Sequence, residues 1–324
     1  MRALVLRDFD GPEGLRLDDV PAPDGEAGTV RIEVHAAGVS FADLLITRGL
    51  YQVKPPLPFV PGLEVAGVVT AAPAGSGFEA GARVAAHVFG GAFAEDAIAD
   101  PAMIVPVPDN VTFAVAAGLV VNYQTAWFAL VRRARLEAGE RVLVHGAGGG
   151  LGTATVGVAK ALGAEVVGVA AAGAKTEMAA SAGADCVVDP SGADWAERVR
   201  AASGGEGVDV VVDPVGGDRF DDTLRLLRPE GRLVVVGFTG GSIPAVKVNR
   251  LLLRNVSVLG AAWREFLSTE PAFFTETGAL LGRLVADGRL VPRVGACYPL
   301  AEGARALQDL ADRRTAGKVV LEVR

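Results

Sequence analysis

Residues 141–154 read Arg141-Val142-Leu143-Val144-His145-Gly146-Ala147-Gly148-Gly149-Gly150-Leu151-Gly152-Thr153-Ala154, and this stretch decides the fold. The apolar run Val142–Val144 has the length of a buried strand. Five glycines follow within seven residues, and 153–162 continues with helix-forming residues. A strand, a glycine turn and a helix start together make an anion site. The turn lets backbone N–H groups approach a phosphate, and the helix N-terminus carries partial positive charge. The spacing is Gly146-x-x-Gly149-x-x-Gly152, because Leu151 stands where the strict G-x-G-x-x-G pattern needs its third glycine. Taken alone, such a turn serves equally as a tight structural corner.

The surrounding sequence decides between the two. Strand-like runs recur at 165–170, 186–189, 208–213, 232–237 and 256–260, with helical segments between most of them. Six strands alternating with helices predict a parallel, doubly wound α/β sheet with ligand at the strands' carboxyl ends. Upstream the texture changes. Short β-type runs at 1–6, 29–36, 62–69, 83–86 and 103–107 are joined by Pro/Gly-rich connections such as 21–28 and 54–62. They predict an irregular antiparallel β domain.

The chain has 324 residues, half of them hydrophobic, enough for two domains. Its net charge of −7, without a Lys/Arg cluster, argues against nucleic acid as a partner. Two cysteines make neither a disulfide framework nor a metal cage. The opening run is too short for a secretory signal. The uncharged stretches 110–131 and 142–159 are broken by a polar run and by glycines respectively, so no membrane span is expected. A soluble cytoplasmic protein is the expectation.

Gly38-Val39-Ser40-Phe41-Ala42-Asp43, Arg48-Gly49-Leu50-Tyr51 and Pro61-Gly62-Leu63-Glu64-Val65-Ala66-Gly67 follow one another in the first domain. Gly81-Ala82-Arg83-Val84, Gly91-Ala92-Phe93-Ala94-Glu95, Tyr123-Gln124-Thr125-Ala126, the glycine turn, Val212-Asp213-Pro214-Val215-Gly216-Gly217 and Gly317-Lys318-Val319-Val320-Leu321 continue the series. In this order they resemble the medium-chain dehydrogenase/reductase superfamily. Within it they are most similar to the quinone oxidoreductase branch with its zeta-crystallin-like members. The resemblance implies a GroES-like irregular β-barrel domain from 1–122 with 261–324, and a Rossmann domain at 123–260.

Two departures from the superfamily bear on metal. Its zinc alcohol dehydrogenases carry a Cys ligand where this chain has Ser40 and a His ligand where it has Leu63; serine is a poor zinc ligand and leucine is none. Four structural-zinc cysteines are absent as well. His35, His87 and His145 read as structural, so no metal site is expected. Ser40 also stands where many quinone reductases have an Asn near the nicotinamide ribose. It keeps hydrogen-bonding capacity with shorter reach, and it doubles as a helix N-cap before 41–47.

An NAD-binding fold places an acid at the end of its second strand. Here 166–175 carries none before Glu177, which permits the extra phosphate of NADPH. By resemblance Lys175 binds that phosphate, with Lys318 as a further candidate. The glycine-turn residues Gly148, Gly149, Gly150 and Leu151 are the candidate pyrophosphate site. By the same resemblance Thr125, Phe238 and Thr239 are the candidates at the nicotinamide. NADPH is the expected cofactor.

Nothing in the sequence suggests hydrolysis. A hydride donor beside a metal-free cleft suits a conjugated acceptor, whose charge spreads over its π system, whereas a simple ketone needs a Lewis acid. A zinc-independent NADPH-dependent reductase of a small-molecule quinone is the first expectation. A C=C reductase of enones or 2-enoyl compounds is the alternative, and a non-catalytic NADPH-binding protein a third. Tyr51 and Ser40 are the candidate catalytic residues. A homodimer joined through the edge strand at 256–260 is expected.

Overall fold

The computed structural model describes residues 1–25 and 28–324, so positions 26–27 of the 21–28 connection lie outside the described residues. The chain divides into two compact units. One comprises Met1–Val121, Leu267–Arg289 and Val294–Arg324; the other comprises Asn122–Phe266 and Leu290–Arg293.

The first unit contains β1 (Arg2–Leu6), β2 (Leu15–Asp19), β3 (Val30–Val39), β4 (Glu64–Ala71), β5 (Arg83–His87), β6 (Asp96–Ala99) and β7 (Ile104–Pro106). The helix α1 (Phe41–Thr47) follows β3, and α2 (Phe113–Gly118) follows β7. The second unit contains β8 (Arg141–His145), β9 (Glu165–Val169), β10 (Cys186–Val188), β11 (Val208–Asp213), β12 (Leu227–Val235) and β13 (Ser257–Gly260). Its helices are α3 (Gln124–Trp127), α4 (Gly150–Ala161), α5 (Ala174–Ser181), α6 (Trp195–Ala202), α7 (Phe220–Leu226), α8 (Asn249–Leu252) and α9 (Trp263–Leu267), the last residue of α9 belonging to the first unit. The chain returns to the first unit with α10 (Ala272–Ala286), β14 (Val294–Pro299), α11 (Gly303–Ala311) and β15 (Lys318–Glu322).

In the second unit the sheet order is β10-β9-β8-β11-β12-β13, all parallel. The order reverses between β8 and β11, and ligands of such sheets bind in the crevice at that switch. The glycine turn leaves β8 at this point. The central strands are runs of buried residues, Val142–Val144 and Val210–Val212 among them, as a sheet covered on both faces requires. Leu143, Val167, Val211, Phe220, Leu227 and Leu233 share one core cluster.

In the first unit, β3 and β4 lie at the centre of a sheet ordered β14-β15-β3-β4-β5-β7, with β6 also on β3, and β1 pairs with β2 apart from it. Pairing is antiparallel except between β14 and β15. The strand β3 starts with strict alternation of buried and half-buried residues, the pattern of a sheet with one face on the core. The strands β2, β6 and β14 were not among the expected runs. β2 is mostly exposed and carries Arg16, Asp18 and Asp19, while β14 is a short run with Gly295 inside it and alternates half-buried with exposed residues.

Residues 113–133 form one continuous helix, wound more widely as π-type turns over Leu119–Tyr123 and Phe128–Arg133. Among the described residues it is the one helix long and apolar enough to cross a membrane, and 67% of its apolar window is buried.

Candidate active site

The glycine turn has the anion-site geometry its sequence implies. Gly149 caps α4, donating its own N–H to Gly146 O at 2.9 Å, while its carbonyl accepts from Thr153 N at 2.9 Å. The amides of Gly150, Leu151 and Gly152 occupy the first turn, where no carbonyl four residues back is available. They therefore face outward at the positive end of the helix. Two close approaches require glycine. A Cβ on Gly152 would fall 2.0 Å from Gly146 O, so α4 starts hard against the strand end. A Cβ on Gly148 would fall 2.4 Å from Lys175 O. The second approach brings Lys175, at the start of α5, against the glycine turn. Ala171 and Ala172, after β9, place no carboxylate there.

The nicotinamide candidates lie on two segments of the second unit. Thr125 sits within α3 and is buried, beside Gln124. The strand β12 ends at Val235, two residues before the expected end, and Phe238 and Thr239 follow in a loop. Asp213 builds the support for that loop: its Oδ1 accepts from Val215 N at 2.8 Å and Gly216 N at 2.9 Å. The carbonyls of Pro214 and Val215 then accept from Thr239 N and Gly240 N. Thr239 therefore spends its amide on Pro214.

In the first unit, Ser40 is the N-cap of α1 in a reciprocal capping box. Ser40 N and Ser40 Oγ both donate to Asp43 Oδ2 at 2.7 Å, and Asp43 N reaches back to Ser40 Oγ at 3.4 Å. Asp43 is fully buried, and burial pushes its carboxyl up to about 6 against the lowering effect of the Ser40 hydrogen bonds. Tyr51 is half-buried on the loop after α1.

Lys318 requires a correction. Expected as a phosphate ligand, it is only 3% exposed, donates to Val39 O at 3.0 Å and pairs with Glu64. Glu64 is itself buried and accepts from Val121 N at 2.7 Å through its other oxygen. An ammonium enclosed in this way is not available to a phosphate. The pair was also missed as a structural feature, because 254 residues separate its members and no local pattern links them. Asp43 did carry a signal, since Ser-x-x-Asp before an apolar run is a capping-box pattern.

The superfamily's zinc does not fit these residues. Leu63 offers no donor, and its carbonyl accepts from His87 Nδ1 at 2.7 Å. His145 is buried, which lowers its basicity. Because Thr223 Oγ1 donates to Arg219 O, it accepts from His145 Nε2 at 2.9 Å, which fixes the histidine in the Nε2–H form. No group of three or more His, Cys, Asp or Glu side chains with ligand geometry occurs among the described residues.

Two family models match the chain: an alcohol dehydrogenase GroES-like domain over residues 26–109 and a zinc-binding dehydrogenase domain over 150–276. A quinone oxidoreductase-like protein 2 of Rattus norvegicus is 38% identical over 100% of this chain and 92% of its own. A probable oxidoreductase of Mycobacterium abscessus superposes with a TM-score of 0.91 at 49% identity, covering 100% of this chain and 99% of that one. The quinone oxidoreductase of Thermus thermophilus, solved also in complex with NADPH, superposes with a TM-score of 0.86 at 37% identity, covering 100% of both chains. The fold, the ordered motifs and these similarities agree: the chain belongs to the quinone oxidoreductase family of the medium-chain dehydrogenase/reductase superfamily.

Proposed function

We propose that the protein is an NADPH-dependent oxidoreductase that reduces a quinone without a metal ion. The observation that carries this reading is the glycine turn at the sheet's switch point with Lys175 packed against it and no acid after β9. Gly150, Leu151 and Gly152 amides would hold the pyrophosphate, and Lys175 the 2′-phosphate. Thr125, Phe238 and Thr239 would orient the nicotinamide. When bound, the cofactor supplies a hydride. The chain's own residues position it, keep competing acids away from its extra phosphate and offer Ser40 and Tyr51 as proton donors to the product.

Ser40, a poor zinc ligand, and Leu63, which has no donor, support the metal-free part of the proposal. A quinone or conjugated enone needs no Lewis acid, and the quinone is preferred because the relatives are quinone oxidoreductases. Cys186 and Cys297 are both unpaired, as suits a reducing, cytoplasmic setting. A homodimer through the β13 edge is supported by Ile243, Val248, Leu252 and Leu253, all more than 70% exposed and close to that edge in sequence; sedimentation at monomer mass would count against it.

Lys175→Ala tests the cofactor assignment. Removing one charge-assisted phosphate contact lowers the preference for NADPH over NADH by about ten-fold or more, read as the ratio of kcat/KM values. An unchanged ratio would remove Lys175 from the site.

A further inference from the structure

Three ionisable side chains are buried together next to Ser40: Asp43 of α1, Glu64 of β4 and Lys318 of β15. They bring one cation to two carboxyl groups. The cation is committed to Glu64 and to the carbonyl of Val39, the residue before Ser40. Among the described residues no cation pairs with Asp43, although Lys318 acts on it at longer range. The Asp43 Oδ2 is shared with Ser40, and its Oδ1 has no hydrogen-bond partner among the described residues. A helix cap alone does not require this. Capping carboxylates are stable in water, whereas a buried carboxylate with an unsolvated oxygen is costly. The neutral acid is the form that this cluster accommodates best. The raised pKa of Asp43, about 6, agrees with that count.

The Ser40 Oγ to Asp43 Oδ2 distance of 2.7 Å allows a proton to lie on either oxygen. Ser40 itself is half-buried and, among the described residues, is the one side-chain hydrogen-bond partner of Asp43. We propose that Asp43 is a buried proton store that supplies the reduced acceptor through Ser40, an inference that rests on the quinone-reductase reading above.

The step balances as follows. Hydride delivery gives the acceptor two electrons and leaves an anion on its oxygen. That oxygen takes the Ser40 hydroxyl proton, so one O–H bond forms as another breaks. In the same step the carboxyl O–H of Asp43 breaks and Ser40 Oγ regains its proton, so no serine alkoxide forms and Asp43 is left ionised. Water returns the proton through Ser40 before the next turnover. Asp43 acts through Ser40 and is therefore a positioning residue.

The charged groups acting on Asp43 are Lys318, which favours its ionised form, and Glu64, which opposes it. The helix α11 also packs on α1, but its Arg305 and Asp309 are paired with each other, and Asp309 further with Arg314 and Tyr298. The store is full below the Asp43 pKa and empties as pH rises through it, so kcat falls as pH rises through about 6.

The test compares wild type, Asp43→Asn, Ser40→Ala and Ser40→Thr across this range, with NADPH and benzoquinone. Infrared titration of the resting proteins reads the protonated carboxyl band directly. Asp43→Asn keeps an acceptor for Ser40 but stores no proton. Its kcat below pH 6 is expected to drop about ten-fold or more and to lose the pH dependence. Ser40→Thr is expected to retain activity, and Ser40→Ala to lose it while the carboxyl band persists. The wild-type band is expected to vanish above the Asp43 pKa and to be missing in Asp43→Asn. If Asp43→Asn does not fold, Ser40→Ala decides. A wild-type kcat and pH profile in Asp43→Asn or Ser40→Ala, or no carboxyl band below pH 6, overturns the store and leaves the functional reading intact. A wild-type protein that reduces no quinone overturns that reading and the store with it.

Discussion

Gly152→Ala is expected to raise the NADPH dissociation constant about ten- to a hundred-fold, the scale of losing roughly 1.5–3 kcal/mol of charge-assisted amide–phosphate hydrogen bonding. The added methyl would sit 2.0 Å from Gly146 O and 2.7 Å from the Ala147 Cα. Both obstacles are backbone, so no side chain can swing aside. The start of α4 must move away from the end of β8, carrying with it the amides that face the pyrophosphate. Overpacking of this kind also costs about 1–3 kcal/mol of stability. Gly282→Ala is the control. It lies within α10 with nothing within 4 Å of the added Cβ, and alanine there stabilises by up to about 1 kcal/mol. Fluorescence titration with NADPH, together with thermal unfolding, separates lost binding from lost folding. Wild-type affinity in Gly152→Ala would mean that the turn does not form the anion site.

Lys318→Ala is expected to cost about 3–5 kcal/mol, because it leaves the Glu64 carboxylate buried without its cation. The melting temperature falls by roughly 10 °C on that scale. Pairing the change with Glu64→Gln recovers most of the loss, since glutamine keeps an acceptor for Val121 N and carries no charge. Equal destabilisation by the single and double variants would show that the two side chains are not coupled.

Much of the second unit was legible in the sequence because its physics is local. Parallel strands buried on both faces read as uninterrupted Val/Leu runs, and the glycine turn lies in one short stretch. The limits of β8, β9 and β11 differ from the expected runs by at most one residue. The first unit was harder. The strand β2 is mostly exposed and charged, and β14 is a short run holding Gly295 and bounded by Arg293 and Pro299, half-buried at most, so neither stood out. The Glu64–Lys318 pair joins strands far apart in the chain, and only folding shows that Lys318 faces inward. Seen from sequence, a lysine in a closing motif reads as a phosphate ligand; the same lysine enclosed beside a carboxylate is part of the core. Asp43 lay between these extremes, because its spacing from Ser40 announced a cap but nothing local announced its burial.

The central claim is metal-free reduction of a quinone by NADPH. The most direct test is the initial rate of NADPH oxidation with benzoquinone or phenanthrenequinone after exhaustive dialysis against a chelator, with a short enone run in parallel. The account predicts an undiminished quinone rate, little stimulation by added zinc and a slower enone reaction. A rate that disappears with the chelator and returns with zinc, or turnover of the enone alone, would contradict it.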